Sequence, residues 1–277
     1  MKDGPTTPTL TVTILSPRCL ALTLGGATQH TSWGVNCLAV TGRDGTLLVD
    51  PFIAPAHARL LEAEVRRRNL PPVTHVVLTH HHTDHALGAG WFARRGASCI
   101  SHPACAAAMA TEHPGIVAHR RADPLLAELY ADADPHVPGH TFTDRWQVDL
   151  GGLPVEVRHA GHGHTRGDAV ILVPDEGVAA SGDLLFNGFH VNYEDADLHG
   201  LMTALDRLEA LGARTLVPGH GPVGGPGLVD EQRRYHDTTA RLIRAAPDGA
   251  SARDAVFAAF PGHAMKESVD SALRWRS

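Results

Sequence analysis

An α/β fold of two similar halves is what this 277-residue sequence predicts. Three observations carry that expectation. Short β-branched and apolar runs open each half, amphipathic helical stretches follow them, and no fixed short period of the solenoid kind runs through the chain. No linker is polar and long enough to mark a boundary, so residues 1–277 are expected to form one domain.

The first strands are LTVTIL, CLALTL, VNCLAV and TLLVD, the last two joined by the turn signal GRDG at 42–45. Residues 55–69 then place Leu60, Leu61, Val65 and Arg68 at helical spacing with charge on the opposite face. Pro71 and Pro72 precede a strand, THVVLT; residues 85–95 read as helix, SCIS as strand and 103–111 as a short helix. From 112 to 146 periodicity is poor and Pro, His and Asp are dense. Because this stretch keeps the apolar anchors Ile116, Leu125, Leu126, Leu129, Tyr130, Phe142 and Trp146, it is expected to be a lid-like insert rather than a disordered segment. Strands return in VEVRHA, DAVILVP and GVAASGD. An amphipathic helix over 197–211, the strand TLVP, a long helix over 228–246 and a helical extension over 247–277 complete the chain.

Composition narrows the function. Twenty-four Lys and Arg against 30 Asp and Glu give a net charge of −6, which argues against sequence-independent nucleic-acid binding. No apolar run approaches the ~20 residues of a membrane span, and the stretch MKDGPTTPTLTVTILSP lacks the apolar centre of a secretory signal. Cys19, Cys37, Cys99 and Cys105 are scattered without a CxxC, as expected of small buried hydrophobes in a reduced, cytoplasmic protein. The expected partner is a small-molecule substrate, with neither nucleic acid nor membrane; nothing here sets an oligomeric state. Histidine is the outlier, since 20 of them exceed the seven Phe, three Tyr and four Trp together. Histidine is the commonest metal ligand and the usual proton carrier near neutral pH.

Where the histidines fall gives the chemistry. Directly after THVVLT come His80, His81, His82, Thr83, Asp84 and His85, a ligand set suited to zinc or another borderline divalent ion. An extended backbone would turn His80 and His82 to one side and His81 to the other. Such a cluster alone is equally a solvated turn. Three later strands, however, each end beside glycine in a residue of ligand type: His164 in GHGHTRGD, Asp183 in SGDLLF and His220 in VPGHGP.

HHHTDH, GHGHTRGD, SGDLLF and VPGHGP, in this order, resemble the metallo-β-lactamase-fold hydrolases from about Asn36 to Pro222. The resemblance implies an αββα sandwich, two mixed sheets with helices outside, and a centre of two divalent metals, zinc before iron or manganese. One metal would take His80, His82 and His164, and the other Asp84, His85 and His220. Asp183 would bridge them with a water-derived hydroxide that attacks a carbonyl, and Asp84 would orient it or receive its proton. Asp50, ending LLVD, would orient ligands by hydrogen bonds. Metallo-β-lactamases proper carry Cys or Ser where Asp183 stands. The resemblance therefore favours the branch of glyoxalase II thioesterases and lactonases, cleaving an ester, thioester or lactone. Nucleases of the fold add basic exosites or a second domain, neither evident here. A non-hydrolytic metalloenzyme is the alternative: a sulfur dioxygenase-like protein with one iron, or a biosynthetic cyclase or isomerase. No GxSxG elbow or P-loop is present. Phe186, Phe189, His190, Asn192 and Tyr193, directly after Asp183, are expected to line a partly apolar substrate pocket together with the 112–146 segment.

Overall fold

The computed structural model describes residues 8–276; of the stretch read for a secretory signal, residues 1–7 lie outside it. The first half of the chain builds a seven-stranded sheet. Its strands are β1 (Leu10–Ser16), β2 (Cys19–Leu24), β3 (Asn36–Thr41) and β4 (Thr46–Val49), then, after α1 (Pro55–Arg67), β5 (Val73–Val77). Two short helices, α2 (Thr83–Ala86) and α3 (Ala89–Ala93), lead to β6 (Ser98–Ser101). The long α4 (Pro103–Ala122) and the short α5 (Ala127–Tyr130) lead on to β7 (His140–Thr141). The order β1 to β7 is sequential, antiparallel as far as β4 and parallel from β4 onward.

The second half builds a five-stranded sheet from β8 (Arg145–Asp149), β9 (Pro154–Gly161), β10 (Asp168–Val173), β11 (Val178–Phe186) and, after α6 (Leu198–Glu209), β12 (Thr215–His220). It runs antiparallel except for the parallel β11–β12 pair. The helices α7 (Gly227–Ala245) and α8 (Gly249–Ala259) and a 3₁₀ segment, Lys266–Arg276, close the chain.

Side-chain alternation explains the layering. Cys19, Ala21, Leu38 and Val40 of β2 and β3, and Ala169, Ile171 and Val173 of β10, each face the opposite sheet and together make the central core. Their neighbours Leu20, Leu22, Cys37 and Ala39 face α1 and α3. Val170 and Leu172 face the α6, α7 and α8 side. With both faces buried, these strands read as unbroken apolar runs. Two mixed sheets packed face to face with helices on the outer faces are the αββα arrangement expected. All four cysteines are buried and unpaired. Among the described residues no helix is long and apolar enough to cross a membrane.

Two expectations are corrected. The helix expected to stop at residue 111 runs on to Ala122 through Pro114, so about a third of the 112–146 segment is regular helix. Pro114 and Gly115 erase the local signal, but His113 and Val117 are buried and hold the helix on course. The rest is α5, a connection, β7 and the start of β8, and Leu125, expected as an anchor, is 81% exposed. The strand expected to end at Asp183 continues to Phe186, so that ligand sits inside β11 rather than at its tip.

Pro114 is exposed and lies in the helix interior, where it removes one backbone hydrogen bond and crowds the Ala110 carbonyl. Pro114→Ala should therefore raise the unfolding free energy by about 1–2 kcal/mol, net of the stiffness proline lends the unfolded chain. A rightward shift of the urea midpoint is the expected result; an unchanged or lower midpoint would contradict a continuous helix here.

Candidate metal centre

Every residue of the histidine constellation comes to one place, where the strand ends of the two sheets meet. His80, His82, His164 and Asp183 bring ligand atoms within 4.8 Å of one another, and so do Asp84, His85 and His220. Asp183 sits between the groups. Its Oδ2 is 3.8 Å from His80 Nε2, 3.4 Å from His164 Nε2 and 3.4 Å from His220 Nε2, and its Oδ1 is 3.1 Å from His85 Nε2. Asp84 Oδ2 lies 3.4 Å from His220 Nε2 and 3.7 Å from His85 Nε2.

Four of the five histidines have one ring nitrogen taken by a partner outside the cluster, which sets the tautomer and aims the other nitrogen inward. His80 Nδ1 donates to Thr79 Oγ1 at 2.9 Å, and that hydroxyl donates to Asp50 Oδ2 at 2.6 Å. His85 Nδ1 donates to the same Asp50 oxygen at 2.9 Å. His82 is reversed: its Nε2 donates to Asp195 Oδ2 at 2.9 Å, which leaves Nδ1 for the centre. His220 Nδ1 donates to the Trp33 carbonyl at 2.9 Å. Asp50 also accepts the Thr79 backbone N–H at 2.8 Å, so the residue expected to orient ligands touches both groups, one directly and one through Thr79.

Backbone devices place the remaining ligands. Asp168 accepts the N–H groups of His164 at 2.6 Å and of Thr165 at 2.9 Å, which fixes the β9–β10 loop. Asn36 Nδ2 donates to the carbonyls of Pro218 and Gly221 at 2.9 and 2.7 Å and so ties the end of β12 to β3 of the other sheet. Two glycines make room. Gly182 has φ +51 and a Cβ there would meet Thr79 Oγ1 at 2.3 Å, while a Cβ on Gly219 would lie 1.9 Å from Asp183 Oδ1.

The donor set fits borderline divalent cations. His80 Nε2, His85 Nε2 and Asp183 Oδ1 are buried with no hydrogen-bond partner, and His82 Nδ1 and His164 Nε2 point at one another across 2.9 Å. A proton or a cation must occupy such a space. Burial pushes His80 and His164 well below the ordinary imidazole value, which leaves them neutral donors. Burial alone would raise the Asp183 carboxyl, but the facing His220, His85 and His164 outweigh it and hold it well below the usual carboxylate range. For His85 and His220 burial is likewise outweighed, there by Asp183 and Asp84, and both imidazoles rise.

A cleft of about 620 Å³ opens over the cluster. Of the five residues expected to line it, only Asn192 does. Phe186 stacks on His220 from beneath at 5.0 Å, and Phe189 packs against the same ring at 5.7 Å. His190 and Tyr193 are fully buried and bond to Tyr235 Oη and His236 Nδ1 of α7 at 2.9 and 2.7 Å. Aromatic residues next to a ligand strand read alike whether they face a pocket or the helix layer; here the helix layer takes them.

The wall is also more polar than expected. Glu112, Glu194, Asp195 and Glu267 face the opening, and Trp33, Ile116 and Met265 supply apolar surface. The first part of the 112–146 segment does reach the site, as helix rather than loop. His113 Nε2 bonds the His81 carbonyl at 2.6 Å and Arg120 donates to Thr83 Oγ1 at 2.9 Å, so α4 buttresses the metal loop from the side. His81, expected to face away, is buried and lines the cleft because the backbone bends at Thr79 and His80 rather than running on as a strand. The sequence reading missed Thr79, Trp33, Asp168, Asp195 and the C-terminal Met265 to Ser271. Only Thr79, a hydroxyl next to the first ligand, carried a local signal.

The Metallo-beta-lactamase superfamily profile matches residues 30–220. A metallo-beta-lactamase type 2 from Bacteroides fragilis is 26% identical over 221 residues, 76% of this chain and 80% of that protein. Among solved structures, a metallo-beta-lactamase from Pontibacter korlensis superposes with a TM-score of 0.66 at 24% identity, covering 83% of this chain and 99% of that one. The metallo-beta-lactamase FIM-1 from Pseudomonas aeruginosa, in a mono-zinc form, gives 0.66 at 19% identity over 84% and 98%. These structural likenesses speak for the fold alone.

Asp50→Ala removes the acceptor for His85 Nδ1 and for the Thr79 hydroxyl that orients His80. Partners of this kind are worth about 10–100-fold in metal affinity. Zinc affinity measured by chelator competition should fall by that factor with the circular dichroism spectrum retained; unchanged affinity would show that the ligands are oriented without Asp50.

Proposed function

This chain belongs to the metallo-beta-lactamase superfamily, and from that premise we propose that it is a hydrolase using two divalent ions, zinc first, to cleave an ester, thioester or lactone of a small molecule. The observation that carries the reading is the position of Asp183, whose two oxygens face histidines of both ligand groups within 3.1–3.8 Å. His80, His82 and His164 would hold one ion and Asp84, His85 and His220 the other, with Asp183 between. Bound there, such ions supply Lewis acidity toward a carbonyl oxygen and bring the pKa of water from ~16 to about 7.

The chain's own groups do the rest. Asp84 Oδ2, on the cleft floor, is placed to take a proton from the attacking water. Asn192 accepts the Glu194 amide through Oδ1 at 3.0 Å, which leaves its Nδ2 donors for a substrate oxygen. By accepting the outward N–H of His85 and of His82, Asp50 and Asp195 set the tautomer in which the inward nitrogen is the one left for an ion. Trp33, Ile116 and Met265 exclude water from one side of the cleft. Glyoxalase II-like and lactonase chemistry is supported by a carboxylate at 183. A second reading, cleavage of a β-lactam amide, is favoured by the name of the Bacteroides relative and belongs in the same assay.

Protein purified without added metal should contain about two zinc ions per chain and hydrolyse at least one of a panel of thioesters, aryl esters, lactones and a chromogenic cephalosporin. Asp183→Asn removes the negative charge between the ions and should lower turnover at least 100-fold together with metal content. One iron per chain with oxygen uptake would overturn the hydrolase reading, and a variant that keeps wild-type rate and metal would overturn the bridge.

A further inference from the structure

We propose a third cation site at the mouth of the cleft, built from His81, Glu112 and Asp195 and suited to a divalent ion such as zinc. None of the three belongs to either ligand group described above. They come from three separate elements: the metal loop, α4 and the connection between β11 and α6.

His81 carries the argument. Its side chain is only 7% exposed, and its Nε2 is fully buried without a hydrogen-bond partner. That nitrogen points at two carboxylates, 3.4 Å from Glu112 Oε2 and 3.7 Å from Asp195 Oδ2. Both separations are too long for an N–H···O hydrogen bond. They are, however, the spacing of two atoms that share a cation: ligands about 2.0–2.2 Å from one ion, at tetrahedral angles, lie about 3.4 Å apart. Within the dinuclear cluster the same kinds of pair repeat this spacing, 3.4 Å for His164 to Asp183, 3.4 Å for His220 to Asp84 and 3.7 Å for His85 to Asp84. His81, His82 and Asp195 also form a ligand group of their own within 4.8 Å. His82 Nε2 lies 2.9 Å from Asp195 and keeps its proton for that bond, so in the proposed site Glu112, with Oε2 3.4 Å from His81 Nε2, takes the third place.

The rim site differs from the deeper cluster in one respect that sets its strength. Glu112 and Asp195 are 47% and 44% exposed, so its ion is less shielded from water and leaves first. Its occupant offsets the charge of the four carboxylates at the cleft mouth and so reduces the repulsion an anionic substrate group meets there.

The test counts zinc on the full-length protein saturated with zinc and dialysed against increasing concentrations of a weak chelator. Its arithmetic rests on the two-ion reading. Wild type should start at three ions and pass through a plateau at two. His81→Ala and Glu112→Gln should both start at two, and Glu267→Gln, which removes a mouth carboxylate outside the triad, should start at three. Asp195 is not used, because it also orients His82. A wild type that saturates at two, or variants that keep three, overturns the rim site. A wild type that holds fewer than two overturns the dinuclear reading as well.

Discussion

The metal loop, which carries four of the seven cluster residues, hangs on one buried carboxylate, Asp50. Its backbone N–H bonds Val77 across the parallel β4–β5 pair, and its side chain accepts the Thr79 N–H, the Thr79 hydroxyl and His85 Nδ1. Asp50 adopts φ +55, an unusual conformation for a non-glycine residue that turns the carboxylate back toward the neighbouring strand end. The carboxyl ends of parallel strands are where α/β sheets present side chains. Here that geometry delivers His80 and His85 with their lone pairs already aimed.

The second constraint is electrostatic. Asp84 and Asp183 lie with five imidazoles in a space where every residue except His82 is at most 9% exposed. Removing such groups from water costs several kcal/mol for each ion unless opposite charge meets it. The partners that neutralise the outward imidazole nitrogens cannot do so for the inward ones, because all of these converge on each other. The sequence folds into a cradle of converging nitrogens and carboxylates suited to positive charge, and the apolar layers on both sides of each sheet supply the stability that a buried polar centre removes.

Strands and metal ligands were legible in the sequence for different physical reasons. The strands announced themselves because both sheet faces are covered, which makes each run apolar throughout. The seven cluster residues announced themselves through spacing and adjacent glycine, since close backbone approach at 182 and 219 leaves no room for a Cβ. What stayed hidden was tertiary. Pro114 and Gly115 masked a helix that His113 and Arg120 hold in place through hydrogen bonds to the metal loop. Asp195 looks like any acid in an acidic stretch until the fold sets it against His82, and Trp33 contributes a carbonyl, which no side-chain pattern can show. His190 and Tyr193 follow a ligand strand and so resemble pocket residues in sequence, yet α7 offers each a hydrogen-bond partner.

The account stands on the claim that the aimed nitrogens hold two ions with Asp183 between them. Anomalous diffraction at the zinc edge, on crystals of the zinc-loaded protein, tests it most directly. One peak should be bounded by His80 Nε2, His82 Nδ1 and His164 Nε2, and a second by Asp84, His85 Nε2 and His220 Nε2, each within reach of Asp183. The absence of either peak, or a His82 ring that binds through Nε2 after leaving Asp195, would contradict it.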